Sequence, residues 1–238
     1  IAANRDDFDK KALLEMEKDY KDHPLGTEVS HMLAKVYYDE GMMFDPHQNT
    51  EPQWQLKRSF EIASAAADRF PESLGATQCR QLMNSITEKD ITVTMDYGQL
   101  PERPMLANLE YRNIPEAWFR IIQVDSETDR NMRQRNRNEE LISFYLRQPA
   151  VREWKVVLPA TDDYQTHSTQ VDLGSLPLGY YVILVGENEK FDMSGYIAFN
   201  HFWVTGLSFI NQSLKDGSIE LYVLDRMTGE SLEDVTVR

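Results

Sequence analysis

The sequence predicts an α+β protein of more than one domain, in which helical hairpins are followed by an antiparallel β-sandwich. In residues 5–88 the apolar side chains recur close to helical spacing. At Lys89-Asp90 the helix formers give way to Ile91–Met95, a run typical of a strand. Further on, Leu176–Val185 combines a Pro-Gly turn with a strand that is apolar on both faces. Such a strand is expected in the middle of a sheet, under a second layer.

Length and charge narrow the classes of partner. The 238 residues suffice for one large domain or two modest ones, and the net charge is −14. Nucleic acid and anionic membrane surfaces are disfavoured, because both are bound through basic surfaces. No apolar run reaches the roughly 18 residues of a membrane span, so no direct membrane insertion is predicted. The start at Ile1-Ala2-Ala3-Asn4, without an initiator Met, suggests an excised piece that has lost its targeting segment.

Four helices are predicted in the helical repeat-like domain, residues 1–89. Residues that stop or cap helices mark their boundaries: His23-Pro24, Thr27, Gly41, Asp45-Pro46, Pro52, Phe70-Pro71 and Ser73. The helices form two similar pairs, since a Leu-Gly step recurs 49 residues apart at Leu25-Gly26 and Leu74-Gly75. The pairs resemble tetratricopeptide-like hairpins, although the usual repeat is about 34 residues. A helical cap packed on the rest of the chain is preferred over a peptide-binding groove, which would expose Tyr37, Trp54 and Phe60.

Residues 90–210 are predicted to form one immunoglobulin-like β-sandwich of seven to nine strands, with turns at the spacing of that architecture. Its central strand is Leu176–Val185. Either Tyr180 or Tyr181 is expected to make a tyrosine corner, in which the hydroxyl bonds to upstream backbone. The other strands are assigned to Ile91–Met95, Met105–Tyr111, Ala117–Val124, Trp154–Leu158, His167–Leu173, Tyr196–Phe199 and Phe202–Phe209.

A charged insert, Ser126–Glu140, interrupts the β pattern before an apolar stretch resumes at Leu141–Leu146. It carries four arginines in an otherwise acidic chain: Arg130, Arg133, Arg135 and Arg137. A basic patch for an anionic partner is one interpretation. A solvated loop or short exposed helix is preferred, because acidic residues are interleaved with the arginines.

Residues 211–238 are expected to open a second β domain that is truncated. Ile219–Asp225 and Val235–Val237 flank Thr228-Gly229, which predicts a hairpin. A hairpin without a sheet is marginal in water, so the sequence suggests that a neighbouring domain follows.

No catalytic, cofactor-binding or metal-binding residues are predicted. The histidines are scattered and lack metal-ligand spacing: His23, His31, His47, His167 and His201. Asp45-Pro46-His47 is better explained as a loop at a helix end than as an ion site, and Asp162-Asp163 as a turn. Cys79 lies within a helical apolar pattern, which indicates an inert buried thiol.

Several stretches resemble the N-terminal part of bacterial alpha-2-macroglobulin-like proteins. They are Tyr111-Arg112-Asn113-Ile114 running into Trp118-Phe119-Arg120-Ile121, Leu178-Gly179-Tyr180-Tyr181-Val182, Phe202-Trp203-Val204-Thr205, and Leu224–Leu232. The resemblance implies that 90–210 is a macroglobulin-type sandwich and 211–238 the start of the next. It also implies a large protease-trapping inhibitor of the cell envelope, periplasmic or outer-membrane-associated, whose partners are its own neighbouring domains and target proteases.

The family's thioester signature, Cys-x-Glu-Gln, is not matched, because the single cysteine reads Cys79-Arg80-Gln81-Leu82. What the resemblance carries over is a non-enzymatic scaffold role. Two alternatives stay open: a surface module that binds peptide or glycan through its helical head or sandwich, and an accessory domain of an enzyme.

Overall fold

The computed structural model describes residues 2–236, and the chain divides into two compact units. The helical unit comprises Ile1–Asp90 together with Pro159–His167, and the β unit comprises Ile91–Leu158 with Ser168–Arg238. The six helices and ten strands found in the described residues confirm the predicted α+β class. The predicted domain limits, 1–89, 90–210 and 211–238, stay predictions.

The helical unit contains the four predicted helices: α1 (Ala2–Asp19), α2 (Gly26–Gly41), α3 (Gln55–Arg69) and α4 (Leu74–Thr87), with a 3₁₀ turn at Glu51–Trp54 before α3. Small side chains fill much of its core, which lets the helices approach closely: Ala34, Leu56, Ala63, Ala66, Ala67, Ala76, Cys79, Leu82 and Ile86. As predicted, Ser73 caps α4, because its hydroxyl accepts a hydrogen bond from the Ala76 amide at 3.1 Å. The structure does not show tetratricopeptide-like repeats.

The Leu-Gly step has a steric reason at the second of its two sites. A Cβ on Gly75 would lie 2.3 Å from the Thr27 hydroxyl oxygen, so only glycine permits the approach of α4 to α2. The Thr27 and Ser73 hydroxyls share a hydrogen bond of 2.8 Å beside this contact.

The segment Pro159–His167, which the sequence predicts to lie within the β-sandwich, packs in the helical unit. In Pro159–His167, the Gln165 amide donates to the backbone oxygens of Gly41 at 3.0 Å and Gln53 at 3.3 Å. The Tyr164 ring stacks on Phe60, with centroids 5.2 Å apart. The predicted turn at Asp162-Asp163 is therefore part of the helical unit's structure.

The β unit has two sheets that share one core. The three-stranded sheet has the order β1 (Asp90–Thr94), β3 (Met105–Arg112), β6 (His167–Gly174). The five-stranded sheet has the order β2 (Gly98–Gln99), β8 (Ile197–Val204), β7 (Gly179–Gly186), β4 (Glu116–Gln123), β5 (Ala150–Val157). Its pairs are antiparallel except for the short parallel β2–β8 pair. Leu109, Phe119, Leu173 and Phe202 are among the core residues.

Strand β7 confirms the predicted central strand, since it lies between β4 and β8 and is buried on both faces. Tyr181, Ile183 and Val185 face the core between the sheets. Val182 and Leu184 face a second cluster, which contains Leu141, Ile142 and Tyr145. Each fully buried aliphatic side chain contributes about 1.5–3 kcal/mol, so both clusters contribute substantially to holding this strand.

The second cluster exists because the charged insert folds into two helices, α5 (Ser126–Arg135) and α6 (Asn138–Leu146). The preferred interpretation of Ser126–Glu140 is right for Arg130, Arg135 and Arg137, which are exposed. It is wrong for Asp129, which is fully buried. Leu141–Leu146 forms α6 and covers the outer face of the five-stranded sheet.

The last two strands form a separate ribbon, β9 (Leu207–Ser213) and β10 (Ile219–Asp225), paired antiparallel. The predicted strand Phe202–Phe209 is wrong, because the chain leaves β8 after Val204 and β9 begins at Leu207. The predicted pairing across Thr228-Gly229 is reduced to one bridge between Leu224 and Ser231. Val237, its predicted last residue, lies outside the described residues.

Candidate functional site

The histidines and carboxylates considered as metal ligands make local structural contacts where the structure describes them. Among residues 2–236, no three His, Cys, Asp or Glu side chains are placed to hold a metal ion. In the loop Asp45-Pro46-His47, one Asp45 carboxylate oxygen accepts the amides of His47 at 2.7 Å and Gln48 at 3.0 Å. These bonds support the loop interpretation. His167 contacts Asp163 at 2.8 Å within the helical unit.

Cys79 is buried in the helical core, as predicted. Burial raises the pKa of its thiol to about 11, against a smaller opposite effect of the Arg80 charge. The thiol is therefore protonated at neutral pH and is a poor nucleophile.

A connected group of polar side chains, which we term the Asp129 cluster, lies between α5, α6 and the outer face of the five-stranded sheet. Asp129 accepts from the Tyr145 hydroxyl at 2.6 Å and from the Tyr180 hydroxyl at 2.7 Å. The Arg133 Nε donates to the same carboxylate at 2.8 Å. His201 completes the cluster, with its Nε2 3.3 Å from Arg133 Nη1. The three donors come from α5, α6 and β7, so the carboxylate joins these three elements.

Burial and the Asp129 charge change the acidity of the surrounding groups. Burial, the hydrogen bond to Asp129 and its charge all raise the pKa of Tyr145 above 10.0. The same causes in the same order raise the pKa of Tyr180. Burial works against the charged form of Arg133, but the Asp129 carboxylate outweighs it and raises that pKa. The two phenols are therefore neutral donors at neutral pH, and Arg133 stays charged.

His201 is held neutral. Burial and then the Arg133 charge lower its pKa, outweighing the attraction of Asp129. Because Arg133 donates to Nε2, the proton of the neutral ring belongs on Nδ1, and that buried nitrogen has no hydrogen-bond partner among the described residues. The ring also packs beside Tyr97 and Tyr180, with both centroids 6.3 Å away.

The hydrogen bonds of the Asp129 cluster stabilise the packing of α5 and α6 on the five-stranded sheet. Both Asp129 oxygens accept hydrogen bonds from within the cluster, and the cluster's phenols are poor acids there. Sequence reasoning missed the cluster, although two local signals were present. Asp125 precedes α5 and its side chain accepts the Thr128 amide at 2.7 Å, and Asp129 and Arg133 have the i,i+4 spacing of a helical ion pair.

A groove of about 690 Å³ lies on the helical unit between α1, α2 and the start of α3. Of the three aromatics that distinguish a cap from a binding groove, Trp54 is 54% exposed and lines it with Tyr37. Phe60 is instead half-buried under Tyr164. The lining of the groove also includes three cationic side chains, those of Lys10, Lys57 and Arg58.

Comparison with known proteins gives distant likenesses. No protein-family profile matches the chain, and no curated protein matches it. The chain is similar to a crystal structure of native alpha-2-macroglobulin from Escherichia coli spanning domains MG0-NIE-MG1, at 12% identity and a TM-score of 0.45. The match covers 61% of this chain and 48% of that one, so the chain spans about half the length of that structure.

A second likeness is to the CARDB domain of the PF1109 protein from Pyrococcus furiosus, solved in complex with di-metal ions. Its identity is 9% and its TM-score 0.30, over 50% of this chain and 88% of that one. Both likenesses are too distant to assign a function. The chain is thus an α+β protein with a helical unit and a β unit, and the β unit contains two sheets around one core, a helical layer and the β9–β10 ribbon. None of its described helices is long and apolar enough to cross a membrane.

Proposed function

We propose that this chain is a non-enzymatic scaffold segment of a large macroglobulin-like protein that traps proteases in the cell envelope. The observation that carries the proposal is the position of the resembling stretches. Trp118–Ile121 lies in β4, Leu178–Val182 enters β7, and Phe202–Thr205 ends β8. These are three neighbouring strands of one sheet, so the resemblance falls on the core of the sandwich rather than on scattered loops.

The Asp129 cluster supports a scaffold role. A buried carboxylate that accepts hydrogen bonds from its own helix and from two neighbouring elements stabilises a fixed arrangement, because the loss of a hydrogen bond to a buried charge is costly. In this proposal the β unit supplies a rigid sandwich, and its partners are the neighbouring domains of the same polypeptide. Tetratricopeptide-like hairpins at residues 1–89, a second β domain from residue 211 and a periplasmic or outer-membrane-associated location belong to the same proposal.

The test uses the longest natural polypeptide that contains this chain. It is incubated with several endoproteases and separated on native gels. Trapping predicts that a captured protease keeps its activity on a small peptide substrate and loses activity on a large protein substrate. Equal activity on both substrates, or a natural polypeptide that ends soon after Arg238, would contradict the proposal.

A second candidate function is a binding module that recognises peptide or glycan through the helical unit. It is favoured by the groove that exposes Trp54 beside Tyr37, since aromatic rings with nearby polar groups suit both kinds of ligand. Peptide and glycan arrays test it. Trp54→Ala should then abolish the binding that arrays detect, and Met43→Ala, which changes an exposed side chain on the same unit outside the groove, should leave it unchanged. An array without signal contradicts this candidate and leaves the scaffold proposal intact.

A further inference from the structure

A second groove lies within the β unit, between the β2–β8 edge of the five-stranded sheet and the β9–β10 ribbon. We term it the ribbon groove. It has a volume of about 880 Å³, within the roughly 300–1,000 Å³ of small-molecule sites. One wall carries Tyr97 and Trp203, and the other carries Phe209, Leu221 and Val223. Apolar and aromatic side chains thus dominate both walls.

The ribbon's register places its apolar side chains on the face that forms this wall. Phe209 pairs with Val223 and Asn211 with Leu221. Because side chains of a strand alternate between faces, Phe209, Leu221 and Val223 share one face, and Ile210 lies on the opposite one. Phe209 is 67% exposed on this face in the described part of the chain.

The opposite wall is fixed by a hydrogen bond. The Trp203 indole N–H donates to the Tyr97 hydroxyl oxygen at 3.0 Å, and Trp203 also packs against Tyr180 at 4.9 Å between centroids. The hydrogen bond and the ring contact therefore fix the orientations of the Tyr97 and Trp203 rings in this wall of the groove.

One cation lines the ribbon groove. Arg226 donates from Nη2 to the Gly98 backbone oxygen at 2.8 Å, which anchors its guanidinium. The carboxylate of its neighbour Asp225 accepts the amides of Met227 at 2.9 Å and Thr228 at 2.8 Å rather than pairing directly with the guanidinium. Among the described residues no ion pair to Arg226 is formed. A guanidinium has five N–H donors, so one bond to a carbonyl leaves donors for an anion.

We propose that the ribbon groove binds an amphiphilic carboxylate of the fatty-acid class. The hydrocarbon chain would lie between Trp203 and Phe209, and the carboxylate would accept hydrogen bonds from Arg226. Charge complementarity selects this ligand, because an apolar groove alone would not distinguish an acid from an alcohol. The guanidinium of Arg226 beside apolar walls favours an apolar body that carries one negative charge.

Calorimetric titration of the full chain with dodecanoate, below its aggregation concentration, tests the site. Dodecanol and acetate are the reference ligands. We expect dodecanoate to bind about tenfold more tightly than dodecanol and acetate not to bind, since charge-assisted hydrogen bonds are about twice as strong as neutral ones. Failure of dodecanoate to bind the unaltered protein, or equal binding of acid and alcohol, overturns the proposal without using any variant.

Two pairs of variants locate the site. Arg226→Gln should weaken dodecanoate about tenfold and leave dodecanol unchanged, whereas Lys215→Gln, which removes a charge from the tip of the same ribbon, should change neither. Phe209→Ala should weaken both long-chain ligands, and Ile210→Ala, on the opposite face, should not. An Ile210→Ala loss equal to that of Phe209→Ala would show general adsorption to the ribbon and would overturn the site.

Discussion

Tyr180 and Tyr181 are consecutive in β7, yet their hydroxyls form hydrogen bonds on opposite sides of the five-stranded sheet. Tyr181 donates to the Pro177 backbone oxygen at 3.0 Å, which confirms the predicted tyrosine corner and assigns it to this residue. Tyr180 donates to Asp129 at 2.7 Å, on the face covered by α5 and α6. One residue fixes the turn before the strand, and the other fixes the helical layer on it.

Tyr180→Phe should lower the free energy of unfolding by about 1–3 kcal/mol. The substitution removes one of three hydrogen bonds to a fully buried carboxylate, and a hydrogen bond to a charged group contributes about 1.5–3 kcal/mol, although Arg133 still donates to the same oxygen. Tyr181→Phe should cost less, about 0.5–1.5 kcal/mol, because a backbone carbonyl that loses a neutral donor costs less than a carboxylate. Urea unfolding of the two variants measures both values.

Tyr222→Phe is the matched control, since its hydroxyl donates to Glu220 at 2.7 Å on the exposed face of the ribbon. No measurable loss of stability is expected there. If Tyr180→Phe were as mild as Tyr222→Phe, the Asp129 cluster would not be a stabilising one.

Stability should fall as the pH rises above 10. The folded-state pKa values of Tyr145 and Tyr180 lie above their ordinary 10.0 because of burial and Asp129. The unfolded chain therefore releases these protons first, so their contribution is fully present below pH 10 and is lost as the pH rises through the folded values. Unfolding curves from about pH 8 to 11 should show a shallower loss for Tyr180→Phe. An unchanged slope would show that Tyr180 does not titrate in this way.

The sequence predicted β7 because the evidence for that strand is local. A Pro-Gly turn followed by an apolar run specifies a doubly buried strand without knowledge of its neighbours, and the same holds for Ser73 at the start of α4. The helical boundaries were predictable for the same reason, since caps and breakers act within one turn.

The Asp129 cluster and the segment Pro159–His167 depend on contacts distant in sequence. Asp129 and Tyr180 are 51 residues apart, and Gln165 and Gly41 are 124 apart. An isolated charged helix such as α5 is expected to be solvated, and only its three-dimensional partners make burial of Asp129 favourable. The ribbon was misassigned because Thr205-Gly206 was included in one strand between Phe202–Val204 and Leu207–Phe209, and a lone glycine inside a strand pattern is also typical of a bulge.

Acid should weaken the helical unit through Asp163. Burial alone would raise the pKa of this carboxyl, but hydrogen bonds from His167, Gln53 and the Gln165 amide outweigh it and lower the pKa below 3.8. The stabilisation is thus present above the unfolded value of 3.8 and is lost as the pH falls through the lower folded value. Asp163→Asn should make the free energy of unfolding of the helical unit less dependent on pH below about pH 4.

Hydrogen exchange of α2 and α3 amides across that acid range measures the effect. Asp162→Asn is the control, because Asp162 is the exposed neighbour in the same segment. If Asp162→Asn reduced the pH dependence of stability as much as Asp163→Asn, the effect of acid would come from the overall charge of the segment rather than from the Asp163 hydrogen bonds.

Gly75→Ala should destabilise the helical unit, although alanine is the better helix former. Alanine in a helix interior is favoured over glycine by about 0.5–1 kcal/mol. Against this, the new Cβ would lie 2.3 Å from Thr27 Oγ1 and 2.4 Å from the Thr27 carbonyl carbon, and backbone cannot move aside as a flexible side chain can. Overpacking of this kind costs about 1–3 kcal/mol, so the clash outweighs the propensity and the midpoint of thermal unfolding should fall.

Gly206→Ala is the control, because nothing lies within 4 Å of the added carbon, and it should leave the midpoint of thermal unfolding unchanged. A gain in stability for Gly75→Ala would mean that α2 and α4 can separate without loss, and that the glycine of the second Leu-Gly step has no packing role.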